Sequence, residues 1–141
     1  VETEGEQIVV CQLASEKYGV RLVEVAEVVA RPRITPAPGA PVTIAGLMQV
    51  RGEVRVVWDL RRLFGLPPSE TRGTAVIFIR SGKTEAGLLV DVLEDVRTIG
   101  PSGRLAAPEK AVHAAWMTSD LVLVLDIESL LSTPTEETSR A

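Results

Sequence analysis

Few side chains in this sequence could perform catalysis, because its 141 residues contain one histidine and one cysteine. A catalytic triad or a zinc site would have to use His113, which lies between Val112 and Ala114 in a segment that predicts a strand, where a partly exposed or hydrogen-bonded residue is expected. Cys11 follows two valines, so a buried and inert thiol is expected. A single cysteine also excludes an intramolecular disulfide. The sequence therefore predicts a protein that is not an enzyme and has no cofactor or metal site.

Three aspartates, Asp59, Asp91 and Asp126, stand at the ends of apolar runs. A pair of carboxylates can serve as a general acid and a general base. An aspartate directly after a strand is more typical of a helix cap or a strand end, because its oxygen accepts from backbone N–H groups that have no other partner. No glycine-rich loop followed by lysine and serine or threonine, which would hold a phosphate, occurs. The sequence therefore favours a binding protein over a catalyst.

Charge and composition exclude further classes of function. Fifteen basic against nineteen acidic residues give a net charge of −4, which argues against binding to nucleic acid or to anionic membranes. The five aromatic residues are too few to stack bases, and no apolar run reaches the roughly 18 residues that insertion across a membrane needs. The acidic start at residues 1–6 is unlike a secretory signal, so we expect a cytoplasmic location.

Positive charge concentrates between Arg31 and Arg62. This window contains six arginines against Glu53 and Asp59, a net charge of 6 − 2 = +4. Two interpretations stay open. The window forms a basic face that docks an acidic partner, or its arginines are ordinary solvated residues that alternate with apolar ones on half-buried strands.

The elements that must position these residues are mainly strands, because the sequence is rich in valine, whose branched side chain packs well on a pleated surface. Glycine, proline and serine break the chain at regular intervals, which suits a small barrel or sandwich. Ser81-Gly82 predicts a hairpin turn. The predicted strands are Ile8 to Leu13, Ala45 to Val50, Val54 to Trp58, Thr74 to Ile79, Glu85 to Val90, Val112 to Met117 and Leu121 to Leu125.

Helical signals are short. The apolar residues of the segment Leu22 to Val29 recur at helical spacing, which predicts a helix, with a strand as the open alternative. Asp59 predicts the cap of a short helix through Phe64, which ends at Gly65. The polar composition of residues 132–141 predicts a flexible terminus, as at residues 1–6.

An internal comparison indicates a duplication. Three segments match segments that lie 67 residues later: Ile8 to Val10, Val23 to Glu27, and Val57 to Leu63. Valine-rich strands match one another easily, but a common offset favours a repeat. The prediction is a single domain, 1–141, with duplicated halves at 8–66 and 75–133, each ending in a strand, an aspartate cap and a short helix.

The segment from Ala45 to Gly65 carries the most specific pattern. Its Gly46 is followed by Gln49-Val50-Arg51-Gly52, an apolar strand and Asp59-Leu60-Arg61, which resembles the central signature of the CheW family of chemotaxis coupling proteins. Gln49 replaces the asparagine that is usual in this family. Further matching segments follow in the family's order and extend the resemblance from Ile8 to Leu131: Tyr18 to Val20, Val25 to Val28, Gly87 to Asp91 and Leu123 to Leu130.

The resemblance implies a mainly β fold of two packed five-stranded SH3-like β-barrel subdomains with short helices. It also implies a non-catalytic adaptor that couples methyl-accepting chemoreceptors to a CheA-type histidine kinase at receptor arrays. The partners would be the hairpin tip of the receptor's cytoplasmic domain and the kinase's regulatory domain. The resemblance therefore implies that the chain binds other proteins and needs no cofactor.

By the same resemblance, the partner-binding residues are Arg51, Gly52, Val25, Glu27 and Val28. Arg51 would lie near a receptor-facing groove, where its planar guanidinium binds carboxylates or carbonyls. The alternative for Arg51 is an internal ion pair that braces its turn, and the alternative for the valines is core packing.

The segment from Leu105 to Leu121 is shorter than in the family and lacks the glycine-rich loop that usually precedes the last strand. A variant that binds the receptor but not the kinase is therefore an alternative function. A small-molecule-sensing β module that uses the cleft between the barrels is a second alternative.

Overall fold

The computed structural model describes residues 5–67, 74–111 and 113–132, and strands dominate this part of the chain. Two short 3₁₀ turns, Leu22–Glu24 and Pro101–Gly103, join strands. The strands are β1 (Glu6–Leu13), β2 (Glu16–Arg21), β3 (Val25–Ala30), β4 (Ile44–Val50), β5 (Glu53–Asp59), β6 (Ala75–Ser81), β7 (Thr84–Val90), β8 (Val92–Ile99), β9 (Ala114–Met117) and β10 (Leu123–Leu125), and the helices are α1 (Leu60–Leu63) and α2 (Ile127–Leu131).

The strands form two five-stranded sheets. Sheet A has the order β8-β1-β2-β10-β9, and sheet B has the order β3-β6-β7-β5-β4. Most neighbours are antiparallel, but β10 runs parallel to β2, and β5 runs parallel to β7. Isolated bridges, Thr35 to Leu47 in sheet B and Leu105 to Met117 in sheet A, add a short pairing at the edge of each sheet. The predicted fold class is confirmed as mainly β, with two five-stranded sheets and short helices, but in the described residues the sheets have open edges at β8 and β9 and at β3 and β4 rather than the closed barrels that were predicted.

The two predicted halves do not coincide with the two sheets. Sheet A combines β1 and β2 with β8, β9 and β10, whereas sheet B combines β3, β4 and β5 with β6 and β7. Each sheet therefore contains strands from both 8–66 and 75–133. Strands that correspond between the halves hold equivalent places in opposite sheets. Their origin by duplication stays a prediction.

The strand registers change the predicted 67-residue offset in the hairpins. Gly19 in the β1–β2 hairpin and Gly87 in the β6–β7 hairpin hold the same register position, and they are 87 − 19 = 68 residues apart. The helix caps Asp59 and Asp126 are 126 − 59 = 67 residues apart. A single common offset is therefore wrong by one residue in the hairpins. The difference matters because a slip of one residue moves a strand side chain to the opposite face of its sheet.

Local predictions vary in accuracy. The seven predicted strands are present with shifted bounds, and the turn that joins β6 to β7 contains Gly82 as predicted. The predicted helix over Leu22 to Val29 is wrong, because this segment forms a 3₁₀ turn and the edge strand β3, whose pairing with β6 outweighs helical spacing. The strands β2 and β8 were missed. Glu6 begins β1, and the predicted flexible ends at residues 1–4 and 133–141 lie outside the described residues, as does Val112.

The buried side chains explain why several strands are apolar without interruption. In β1, Val9 and Cys11 belong to a core that both sheets and both helices share, whereas Ile8 and Val10 face a smaller cluster within sheet A. The strand β6 is buried on both faces in the same way. A strand that is covered on both faces shows a continuous apolar run rather than an alternating one. Cys11 is buried, as predicted, and this burial raises the pKa of its thiol to about 12.

Asp91 joins three segments at the point where the chain passes from β7 to β8. Its Oδ1 accepts from Arg61 Nε at 2.9 Å, and its Oδ2 accepts from Arg61 Nη2 at 2.6 Å and from the Ala14 N–H at 2.8 Å. Arg61 lies in α1, and Ala14 lies in the β1–β2 turn. The hydrogen bonds from Arg61 are the main reason that the pKa of Asp91 lies below its usual range. Asp91 is thus a structural acid that ties α1 to a turn of the other sheet.

We expect Asp91→Asn to lower the free energy of unfolding by about 2 kcal/mol at pH 7, because bidentate hydrogen bonds to a half-buried carboxylate are lost. A carboxyl with a lowered pKa stabilises the fold above its unfolded pKa, and this contribution disappears as the pH falls through its folded pKa. The difference between the two proteins should therefore shrink as the pH falls below the usual aspartate range. Urea unfolding at several pH values measures it.

Asp95→Asn is the matched control, because Asp95 is more exposed and its contact with Arg97 is 3.6 Å long. An exposed pair of this kind contributes at most about 1 kcal/mol. Equal effects of the two substitutions at pH 7, or a difference that does not depend on pH, would contradict the assignment of Asp91.

Candidate functional site

The β4–β5 turn places Arg51 and Gly52 at its two central positions. Val50 and Glu53 pair across its base, and both central residues have positive φ angles, 51° for Arg51 and 80° for Gly52. This is the pattern of a type I′ turn, which matches the twist of the strands on either side. Glycine meets this requirement without strain, whereas arginine does not, so Arg51 holds a conformation that its residue type disfavours.

Arg51 contacts the neighbouring edge strand. Its Nη2 lies 3.3 Å from Glu27 Oε1 in β3, and the two side chains are 78% and 32% exposed. The structure therefore brings together two of the predicted site residues from segments that are separated in the sequence. The internal ion pair considered for Arg51 is present, but an exposed pair contributes only about 0–1 kcal/mol. Most of the Arg51 guanidinium stays available to a partner.

The two predicted valines differ. Val25 pairs with Ile79 and packs against the shared core, as the alternative of core packing predicts. Val28 pairs with Ile77 on the same edge strand and is 40% exposed. Val28 therefore offers an apolar contact at the surface, whereas Val25 supports the strand from inside. Whether these residues bind a partner stays a prediction.

A charge cluster behind the turn was missed in the sequence. Glu85 accepts from Arg55 Nε at 2.6 Å and from Arg80 Nη2 at 2.8 Å, and these hydrogen bonds, first that of Arg55, hold the pKa of Glu85 below its usual range. Arg55 also pairs with Glu53. The cluster and the Arg51–Glu27 pair line one cavity of about 190 Å³. Opposite charges on neighbouring strands stabilise the pairing of those strands. The cluster could not be found from the sequence, because no local pattern shows that β5 lies beside β7.

Three of the six arginines in the predicted basic window form ion pairs, so the window is not a fully free basic face. Arg55 binds Glu85, Arg61 binds Asp91, and Arg51 binds an acid in β3. Two of these acids come from the other half of the chain. Charge counted along the sequence therefore overstates the positive potential of this surface.

The residues with catalytic potential have other roles. His113 lies just before β9 rather than within it, and its Nδ1 is 3.2 Å from Ser129 Oγ. Asp59 and Asp126 are helix N-caps, as predicted, and accept from the backbone N–H groups of Arg61 and Ser129. Within residues 5–67, 74–111 and 113–132, no group of three histidine, cysteine or acidic residues could hold a metal ion. In the same part of the chain, no helix has the length and apolar character needed to cross a membrane.

The fold and the candidate site define a class, a small β-sheet module whose exposed turns and edge strands carry the predicted binding residues. The chain belongs to the CheW-like domain family, whose family model matches residues 7–135. This match confirms the resemblance inferred from the sequence and spans both sheets and both helices.

Two relatives and one solved structure support the assignment. The chain is 30% identical over 140 residues to the chemotaxis protein CheW of Klebsiella aerogenes, with 93% of this chain and 84% of that protein covered. It is 33% identical over 106 residues to the chemotaxis protein CheW of Bacillus subtilis, with 74% of this chain and 68% of that protein covered. It matches the crystal structure of the scaffolding protein TtCheW from Thermoanaerobacter tengcongensis with a TM-score of 0.82, 26% identity and coverage of 93% and 95%.

Proposed function

We propose that this chain is a non-catalytic adaptor that couples a chemoreceptor to a CheA-type histidine kinase. The observation that carries the proposal is the family match over residues 7–135, together with a signature segment that is nearly complete around Arg51 and Gly52. We place its action in the cytoplasm, at receptor arrays.

The proposed mechanism is geometric. The helical hairpin tip of the receptor packs against an apolar groove between the two SH3-like units, in the manner of other helix-in-groove complexes. Val28 supplies an apolar contact, and Arg51 supplies hydrogen bonds to carboxylates or carbonyls of the receptor. Glu27 holds the Arg51 side chain near β3 before binding, so that less freedom is lost on association. A separate face pairs with the kinase's regulatory domain.

We expect receptor binding to be stronger than kinase binding. The sequence from Leu105 to Leu121 lacks the glycine-rich loop that is usual in the family, and its described residues, 105–111 and 113–121, contain the bridge from Leu105 to Met117, the strand β9 and turns. A shortened loop removes contacts from one interface and leaves another intact, because affinity is concentrated in a few residues of each interface. This observation favours the second candidate function, an adaptor that occupies a receptor without recruiting kinase.

The test is a calorimetric titration of the purified chain with a receptor cytoplasmic fragment and, separately, with the kinase's regulatory domain. Micromolar receptor affinity, about −8 kcal/mol, with at least tenfold weaker kinase binding is the expected result. Equal and strong binding to both partners would contradict the expected difference in affinity but would support the coupling function. Binding to neither would overturn the proposed function.

A further inference from the structure

A second surface feature lies away from the Arg51 turn. A cavity of about 300 Å³ opens between β2, β9, β10 and the end of α1. The chain has five aromatic residues and one histidine, and two of the aromatic residues line this cavity together with that histidine. The full lining is Tyr18, Leu63, Phe64, Lys110, Ala111, His113, Ala114, Leu123 and Leu125. Side chains that are rare in this sequence are thus concentrated at one place.

Three of the lining rings lie next to one another, with Tyr18 tilted by 35° against Phe64 and Phe64 stacked on His113. The centroids of Tyr18 and Phe64 are 5.1 Å apart, and those of Phe64 and His113 are 6.2 Å apart with their planes inclined by 23°. The contact between His113 Nδ1 and Ser129 Oγ orients the imidazole ring. Rings at these separations attract one another and present flat apolar surface. A planar aromatic ligand is the kind of molecule that such a wall contacts best.

The charge of the cavity selects among aromatic ligands. Among the described residues that line the cavity, Lys110 is the one lysine or arginine, and none is an aspartate or glutamate. Lys110 also forms no ion pair within the part of the chain that the structure describes. A cationic rim beside an apolar wall fits an anion on an aromatic body. The volume lies at the lower end of the range for small-molecule sites, roughly 300 to 1,000 Å³.

We propose that this cavity binds a small aromatic carboxylate of one or two rings. The aromatic body packs against Tyr18, Phe64 and His113, and the carboxylate faces the Lys110 ammonium group. The site lies on the part of the molecule where the end of α1, which follows sheet B, meets strands of sheet A. It adds a ligand to the adaptor function and does not depend on receptor or kinase binding.

The test is a titration of the full chain with indole-3-acetate as the probe, in which binding is measured from NMR chemical shifts of the protein. Saturable binding with a dissociation constant on the order of 0.1 to 1 mM is expected for a molecule of this size. The neutral analogue 3-methylindole, which lacks the carboxylate, should bind at least fivefold more weakly. No saturable shifts, or equal binding of the two probes, would overturn the proposal.

Two variants and one control variant locate the site. Lys110→Gln should weaken indole-3-acetate binding at least fivefold and leave 3-methylindole unaffected, whereas Lys83→Gln, which removes another exposed charge in the β6–β7 turn, should change neither. Phe64→Leu should weaken both probes. If Phe64→Leu lowers thermal stability too far for a titration, the two lysine variants still decide. Identical affinities for the wild type and Lys110→Gln would overturn the assignment.

Discussion

Gly46→Ala is expected to lower the free energy of unfolding by about 3 kcal/mol or more, because it combines backbone strain with a direct clash. The φ angle of Gly46 is 154°, and a Cβ atom built there would lie 2.2 Å from the Thr35 carbonyl oxygen and 2.7 Å from Ile34 Cγ2. The obstacle is backbone, which cannot move aside as a flexible side chain would. Urea unfolding at neutral pH measures the loss.

The clash also breaks a specific pairing. The Thr35 N–H donates to the Leu47 carbonyl and the Leu47 N–H donates to the Thr35 carbonyl, both at 2.8 Å. These two hydrogen bonds attach the proline-rich connection after β3 to the edge of β4. We therefore expect the amide hydrogens of Thr35 and Leu47 to exchange faster in the variant. The glycine of the signature segment is thus explained by the close approach of two backbones.

Gly39→Ala and Gly100→Ala are the matched controls. Gly39 has a φ of 83° with nothing near its Cβ position, so its substitution reports strain alone, about 1 kcal/mol. Gly100 has open space and no positive φ, so its substitution should be nearly neutral. A Gly46→Ala protein no less stable than the Gly39→Ala protein would show that the close approach to Thr35 does not exist in solution.

Arg51→Asn is expected to weaken receptor binding by about 30-fold or more without a loss of stability. Loss of a charged hydrogen bond at an interface typically costs about 2–5 kcal/mol when its partner stays buried. In the free chain, the exposed ion pair with Glu27 contributes little. Asparagine followed by glycine is the preferred pair for a type I′ turn, so the variant should fold at least as well as the wild type. Titration with a receptor fragment and thermal unfolding measure the two effects.

Arg31→Asn is the control for this substitution. Arg31 is also an exposed arginine with a positive φ, 53°, but it lies at the end of β3 rather than in the β4–β5 turn. Its replacement should relieve similar strain and leave receptor affinity unchanged. Equal affinity of Arg51→Asn and wild type would remove Arg51 from the proposed interface. A clear fall in the melting temperature of Arg51→Asn alone would assign the residue to the structural brace.

The sequence by itself was sufficient for features that depend on near neighbours. The strands β1, β4, β5, β6 and β7 follow from branched apolar runs between turn residues. Asp59 and Asp126 cap helices as predicted, because a cap joins a side chain to N–H groups two or three residues away. The ordered signature around Arg51 was also enough to identify the family, since it needs residue types and spacing only.

The tertiary structure decided which strands become neighbours. The segment from Val25 has helical spacing but forms a strand, because β6 offers it a hydrogen-bonding partner from another part of the chain. The exchange of strands between the halves follows from the same long-range pairing.

The candidate sites depend on this pairing as well. Glu27 meets Arg51, Glu85 lies between two arginines, and Tyr18 meets Phe64 and His113, although the members of each group lie well apart along the chain. Residue types and local spacing do not reveal how close two such segments lie in the folded chain. The burial of one apolar core between two sheets sets those distances, because the packing of all the strands together, rather than the preference of any one, minimises the free energy.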